Sequence, residues 1–210
     1  LGRPGRLHLR RERPDAAPSP IPKWALITVG VIFLQLLVGA VMRHMGAGLA
    51  IPDFPATGGN ILEIPNREAL AWVNDWRAAY SERTGAALPP VSMGQMHIHF
   101  MHRLLAMAVI AAAGRLTYAV KSCTRGSGRL RQSVLVLDAA ILAQAIVGAF
   151  NIWTVRNPYI TSLHVLLGAA ILGWSTLTAL RAVRARPAAE SLKRPPLTTG
   201  PPAPEQPAAL

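Results

Sequence analysis

Residues 24–42 read WALITVGVIFLQLLVGAVM, nineteen positions without a charge. At 1.5 Å per residue a helix of that length crosses a hydrocarbon core of about 30 Å. In lipid a spanning segment has to satisfy its own backbone, so a transmembrane helix is expected. The stretch is too long for the apolar part of a signal peptide, and no small-residue cleavage site flanks it. Comparable stretches follow at about 98–120, 134–153 and 160–180. The expected fold class is an all-α integral membrane protein, a bundle of four transmembrane helices.

Charge agrees with this reading. The 210 residues hold 22 Lys+Arg against 10 Asp+Glu, a formal charge of +12. In a soluble chain that excess suggests nucleic acid, but here mean hydropathy is +0.29. The apolar residues form long blocks and the basic ones lie between them, so the expected partner of the charge is membrane lipid and no nucleic acid is expected. Basic residues gather in the arm of residues 1–23 (Arg3 to Lys23), in the loop holding Lys121, Arg125, Arg129 and Arg131, and in the tail from Arg181 to Arg194. All three fall on one side, which the positive-inside bias makes cytoplasmic. The segment of about 43–95, with Asp53, Glu63, Glu68, Asp75 and Glu82, is then outside. The expected layout is a basic cytoplasmic arm over 1–23, a bundle over 24–183 and a disordered Pro/Ala-rich tail over 184–210.

The outer segment is expected to carry a helix capped by Asn66 and running to about Glu82, with Leu70, Val73, Trp76 or Arg77, and Tyr80 on one face. Trp72 and Trp76 suit the bilayer surface. Arg115 and Asp138 share a depth near the cytoplasmic ends of their spans, where either an ion pair or separate snorkelling is expected. Cys123 is the chain's one cysteine, which excludes an internal disulfide, a cysteine-rich zinc site and a CxxCH haem attachment. Chemistry is therefore sought in the six histidines.

Spans one and three share a pattern: Gln35-Leu-Leu-Val-Gly39-Ala40 against Gln144-Ala-Ile-Val-Gly148-Ala149. Spans two and four share another: His102-Arg-Leu-Leu-Ala106 against His164-Val-Leu-Leu-Gly168. The chain thus reads as two repeated helical hairpins in one orientation, related by a pseudo-twofold along the membrane normal, with the outer segment inserted between helices 1 and 2. On this symmetry His102 and His164 lie at equal depth and face one axis. A lone intramembrane histidine usually hydrogen-bonds a neighbouring helix. Two that meet across a symmetric apolar cleft can hold a haem iron by both axial positions. A zinc site lacks a third ligand at that depth apart from His99, one turn nearer the outside. His97 is expected at the membrane interface, and His8 and His44 in water. Arg103 is placed to reach a haem propionate. Gln35 and Gln144 are expected either to line the cleft or to bond neighbouring helices, and Gly39 and Gly148 to allow close packing.

LQLLVGAVMRHMGAGLAIPDFP, then HFMHRLLA, LAQAIVGAF and LHVLLGAAIL, in that order over about Leu26 to Val183, resemble the haem A synthase (cytochrome oxidase assembly) family. The resemblance implies a haem-binding bundle that oxidises a methyl group of haem O, the substrate, to the formyl of haem A, with a bound haem b as electron relay. It places His102 and His164 on the family's paired iron ligands and Arg103 on the arginine of its His-Arg pair. It implies a multi-pass protein of the bacterial cytoplasmic membrane with both termini cytoplasmic. Three departures stand out. The family's glutamate three residues before the first ligand is His99 here, which would have to serve as the catalytic proton donor. The outer-loop cysteine pair of some members is Ile51 and Thr57. Many members have eight spans, so this chain is expected to form a homodimer or to pair with a second four-helix half. The competing readings are a non-catalytic b-type cytochrome or haem carrier, and a repeat-built transport half-module, against which the unbroken spans argue.

Overall fold

The computed structural model describes residues 20–61, 63–123 and 128–191, with side chains as far as Arg184. Helix α1 covers Ile21–His44, α3 Met93–Ser122, α4 Gly128–Trp153 and α5 Pro158–Ser191. These are the four helices long and apolar enough to cross a membrane. Between α1 and α3 lie a 3-10 turn at Ala47–Leu49, a small hairpin of β1 (Ala56–Thr57) and β2 (Asn60–Ile61), and α2 at Arg67–Thr84. The protein is an integral membrane four-helix bundle.

Each span is longer than its uncharged stretch, because polar caps and charged residues prolong a helix beyond the hydrocarbon without raising hydropathy. α1 starts on Pro22 at its first turn. α3 starts on a capping box in which Ser92 and Gln95 exchange side-chain and backbone bonds. α5 runs through the Ala- and Arg-rich stretch to Ser191, so helix occupies the first part of the expected 184–210 tail. The rest of that tail and most of the N-terminal arm fall outside the described residues.

The helices pack as a ring in the order α1, α3, α4, α5, with extensive contacts α1–α3, α4–α5, α1–α5 and α3–α4. This makes α3 and α5 diagonal partners, as are α1 and α4, the arrangement a twofold-related pair of hairpins produces. The starts of α1 and α4 and the ends of α3 and α5 lie at what we term the basic end. The opposite, histidine end carries the inserted segment. A core of Ile32, Leu116, Val134, Leu137 and Ile171 fills the basic half, with Ala25, Ala113, Ala119, Ala179 and Ala182 between them. These small residues let the backbones approach. Between 17% and 33% of each span is buried in protein, which leaves most of its apolar surface for lipid.

The inserted segment packs separately. Asn66 caps α2 by accepting the Ala69 N–H at 2.8 Å, and Gly85 at φ 72° ends it. Ala69, Val73 and Arg77 form the buried face. Of the two residues expected at that position, Arg77 points inward, while Trp76 stacks on Tyr80 at 5.3 Å. Arg77 donates to Pro89 O (2.8 Å) and Leu49 O (2.9 Å), which is how a charged group is tolerated beside Val73, Ile51 and Met96. Burial, and after it the Arg156 guanidinium, lowers the Arg77 pKa from its ordinary value.

Arg115 and Asp138 make separate contacts. Arg115 lies over the rings of Trp24 (4.8 Å) and Tyr118 (5.4 Å), while the Asp138 carboxylate accepts from Thr117 Oγ1 at 2.8 Å. Two rings offer a cation an apolar site that a half-buried carboxylate cannot match without a larger desolvation cost.

The hairpin turns at Gly58 (φ 64°) and Gly59 (φ 90°), whose N–H groups bond the Asp53 carboxylate at 3.3 and 2.8 Å. A Cβ on Gly58 would sit 2.7 Å from Ala69 Cβ and 2.9 Å from its Cα. Gly58→Val should therefore loosen the hairpin from α2 by on the order of 1–3 kcal/mol. Limited proteolysis should then cut between residues 55 and 85 faster than in the wild type, with the four spans intact.

Candidate functional site

Two equivalent constellations occupy the histidine end. On α1 and α3, Gln35 Nε2 donates to the main-chain carbonyl of His102 at 3.1 Å and lies 3.3 Å from the imidazole Nε2. On α4 and α5, Gln144 Nε2 donates to the His164 carbonyl at 2.9 Å and lies 3.5 Å from that ring's Nε2. One turn further along each glutamine helix stands a glycine. A Cβ on Gly39 would meet His102 Cε1 at 3.1 Å, and one on Gly148 would meet His164 Cε1 at 3.1 Å. The rings thus lie on bare backbone, and the internal repeat holds at atomic detail.

Gly39 and Gly148 allow the close approach expected of them, and what they admit is an imidazole: each follows its glutamine by four residues, one helical turn on the same face. Gln35 and Gln144 do line the site and also bond a neighbouring helix, so the two roles held open for them coincide.

The two histidines sit on the diagonal helices α3 and α5. The Nδ1 atoms of His102 and His164 and the Oε1 atoms of Gln35 and Gln144 are buried and have no hydrogen-bond partner. A buried polar atom without a partner costs about 1–3 kcal/mol. The four atoms occupy repeat-related positions, and the two ring nitrogens among them are available to a metal. Among the described residues no cluster of three or more His, Cys, Asp or Glu can hold a metal ion. The donor set suits a metal that brings its own equatorial ligands and needs only two imidazoles.

His99 and Arg103 point away from the rings and into the inserted segment. His99 is 3% exposed; its Nδ1 accepts the Ile51 N–H at 3.2 Å, and the ring also engages the Ala47 backbone. Arg103 donates to Ala56 O (2.8 Å), Ile51 O (3.0 Å) and Asp53 O (2.7 Å) and lies over Phe54 at 5.6 Å. Its Nε is buried and unpartnered. Together with Gln95, which donates to Met45 O at 2.8 Å, they tie residues 45–56 to α3. The loop in turn delivers Phe54 to Trp153 of α4, with ring centroids 6.2 Å apart. His97 is exposed beside the Met93 carbonyl at 2.8 Å, and His44 is exposed at the end of α1. His8 lies outside the described residues.

The sequence profile of the cytochrome oxidase assembly protein family matches residues 5–176, a range holding both constellations. The chain belongs to that family. Among curated proteins, the heme A synthase of a Bradyrhizobium species is 30% identical over 200 residues, 91% of this chain and 50% of that protein. The heme A synthase of Sphingopyxis alaskensis is 25% identical over 159 residues, 76% of this chain and 39% of its own length. That of Caulobacter vibrioides is 27% identical over 156 residues, covering 73% and 40%. This family member therefore spans half or less of the length of these relatives. No solved structure matches the chain.

Arg103→Lys should release the loop. One ammonium replaces a planar fork that meets three carbonyls, so amide hydrogen exchange at residues 51–56 should rise on the order of 10-fold, as loss of one to two bonds implies, while α3 and α4 keep their protection.

Proposed function

We propose that this chain is a four-helix unit of a haem A synthase-type membrane oxidoreductase, acting on the methyl group of haem O in the supply of haem A to cytochrome c oxidase. The observation that supports this reading is the pair of Gln–Gly–His constellations, each presenting an imidazole with an unsatisfied nitrogen from diagonal helices of the bundle. His102 and His164 would hold a haem iron. When bound as haem b, that group supplies one-electron redox chemistry.

The chain's own residues bind and orient. Gln35 and Gln144 fix the backbone of each ligand-bearing turn, which sets ring depth. Gly39 and Gly148 permit the ring planes to lie flat against α1 and α4. The apolar helices exclude water. Arg103 keeps two N–H donors, the buried Nε and the second hydrogen of Nη1, for a propionate once its three other N–H groups have secured the loop. Conversion of a methyl to a formyl group with water as the oxygen source releases four protons and four electrons, which a separate electron acceptor would have to take. The substrate would need a second site, which another copy of this chain or a separate four-helix half would provide, given that the relatives are about twice as long. Positive-inside charge assigns both termini to the cytoplasm and the histidine end to the outside of a bacterial membrane.

One observation favours the second reading, a haem-binding protein that does not oxidise the methyl. His99 was the candidate proton donor, yet both edges of its ring face the loop backbone. We assign it a positioning role, in which it seats Ile51 and thereby the segment that carries Phe54.

Reduced-minus-oxidised spectra and pigment extraction of detergent-purified protein decide between these readings. Haem b together with haem O or A supports the enzyme, haem b alone supports the second reading, and absence of haem overturns both. His102→Ala and His164→Ala should each abolish the bis-imidazole spectrum and leave membrane insertion intact.

Gly39→Val should displace the His102 ring and weaken haem retention on the order of 10–100-fold. Gly30→Ala, with nothing within 4 Å of the added atom, should leave it unchanged. His99→Gln should keep the haem spectrum; if haem is lost instead, His99 is closer to the iron than assigned here.

A further inference from the structure

At the basic end, α4 and α5 enclose a recess of about 180 Å³ lined by Arg129, Gln132, Ser133, Val136, Trp174 and Arg181. We propose that this recess binds the phosphate headgroup of an anionic phospholipid.

Its architecture is built around one buried polar hub. Ser133 is 1% exposed and Thr178 0%, and their hydroxyls share a hydrogen bond of 2.7 Å. The Ser133 carbonyl accepts from Trp174 Nε1 at 2.9 Å, and its hydroxyl accepts from Arg181 Nη1 at 3.0 Å. The Arg181 guanidinium also lies over the Trp174 ring at 5.4 Å. One of its five N–H donors is spent on Ser133, and the side chain is held by that bond and by the indole. Arg129 lines the same recess from the first turn of α4, where the helix dipole adds positive potential. Among the described residues the lining contains no carboxylate. A fixed guanidinium and a second one in the same lining together favour an anion.

Location selects a lipid as its source. Trp174 is the kind of residue that settles where headgroup meets acyl chain, and Val136, 43% exposed, continues the lining toward the hydrocarbon. Basic pockets between spans at this level suit anionic headgroups. Internal symmetry supplies a comparison. The repeat aligns Arg129 with Pro20, Ser133 with Trp24, Trp174 with Ala112 and Arg181 with Ala119. The first hairpin thus lacks the serine and the two arginines at the aligned positions and packs the same two helix segments with Arg115 over Trp24 at 4.8 Å instead, so helix packing does not require this particular set. The feature belongs to the second hairpin and is separate from the histidine site.

The test is native mass spectrometry of the full chain in detergent, titrated with dioleoyl phosphatidylglycerol, dioleoyl phosphatidylcholine or inorganic phosphate. Wild-type protein should retain phosphatidylglycerol in preference to phosphatidylcholine. Arg129→Gln should weaken that retention about fivefold and Arg129→Gln/Arg181→Gln on the order of 25-fold, at roughly one basic side chain's attraction each. Arg131→Gln, a charge on the same turn outside the lining, should change nothing. Arg129 is exposed and takes no part in the Ser133 hub, so its single variant remains decisive if loss of Arg181 unfolds the protein. Equal retention of the two lipids, or phosphatidylglycerol binding indifferent to Arg129, overturns the proposal. Arg129-dependent binding of inorganic phosphate without phosphatidylglycerol overturns the lipid as its source.

Discussion

Everything at the histidine end depends on one hydrogen bond made twice, from a glutamine amide on one helix to the main-chain carbonyl of a histidine on the next. In a bundle packed largely through apolar side chains, a polar tie between helices fixes both the distance and the vertical register. The bond from Gln35 to His102 O and that from Gln144 to His164 O set the same register in both hairpins. The glycine one turn on then admits the ring. The two imidazoles reach matched positions because the same local device is repeated.

The inserted segment exploits that register without disturbing it. It interrupts the first repeat between α1 and α3, and α3 answers with a row of residues one turn apart. Gln95, His99 and Arg103 each bind loop backbone, at Met45, Ile51, and Ile51 with Asp53 and Ala56. Arg77 of α2 reaches in from above to Leu49. Buried main-chain groups at the membrane surface have to find partners, and an irregular loop cannot supply its own. The charged and aromatic residues of this segment serve that need, and the one cation near a ligand histidine is committed chiefly to holding the loop.

Polar chemistry is divided between the two ends. At the histidine end the unsatisfied atoms are carried in matched positions on the two hairpins. At the basic end the polar hub of Ser133 is satisfied internally, and the charge beside it faces outward. The two hairpins are alike where they form the first site and unlike where they form the second.

The amino-acid sequence alone determined the four spans, the repeat and the two paired histidines, because each is written in a local pattern: length of apolar run and spacing along a helix face. It also marked the cap at Asn66 and narrowed the inward position of α2 to Trp76 or Arg77. Tertiary structure decided what needed a partner from elsewhere in the chain. Only packing showed Arg77 buried, Arg115 on two rings rather than on Asp138, Gly39 and Gly148 beneath the imidazoles, and His99 and Arg103 turned toward the loop. The physical reason is that a helical pattern tells which face a side chain occupies, whereas the energy of a buried polar group depends on which donor or acceptor the fold brings within 3 Å of it.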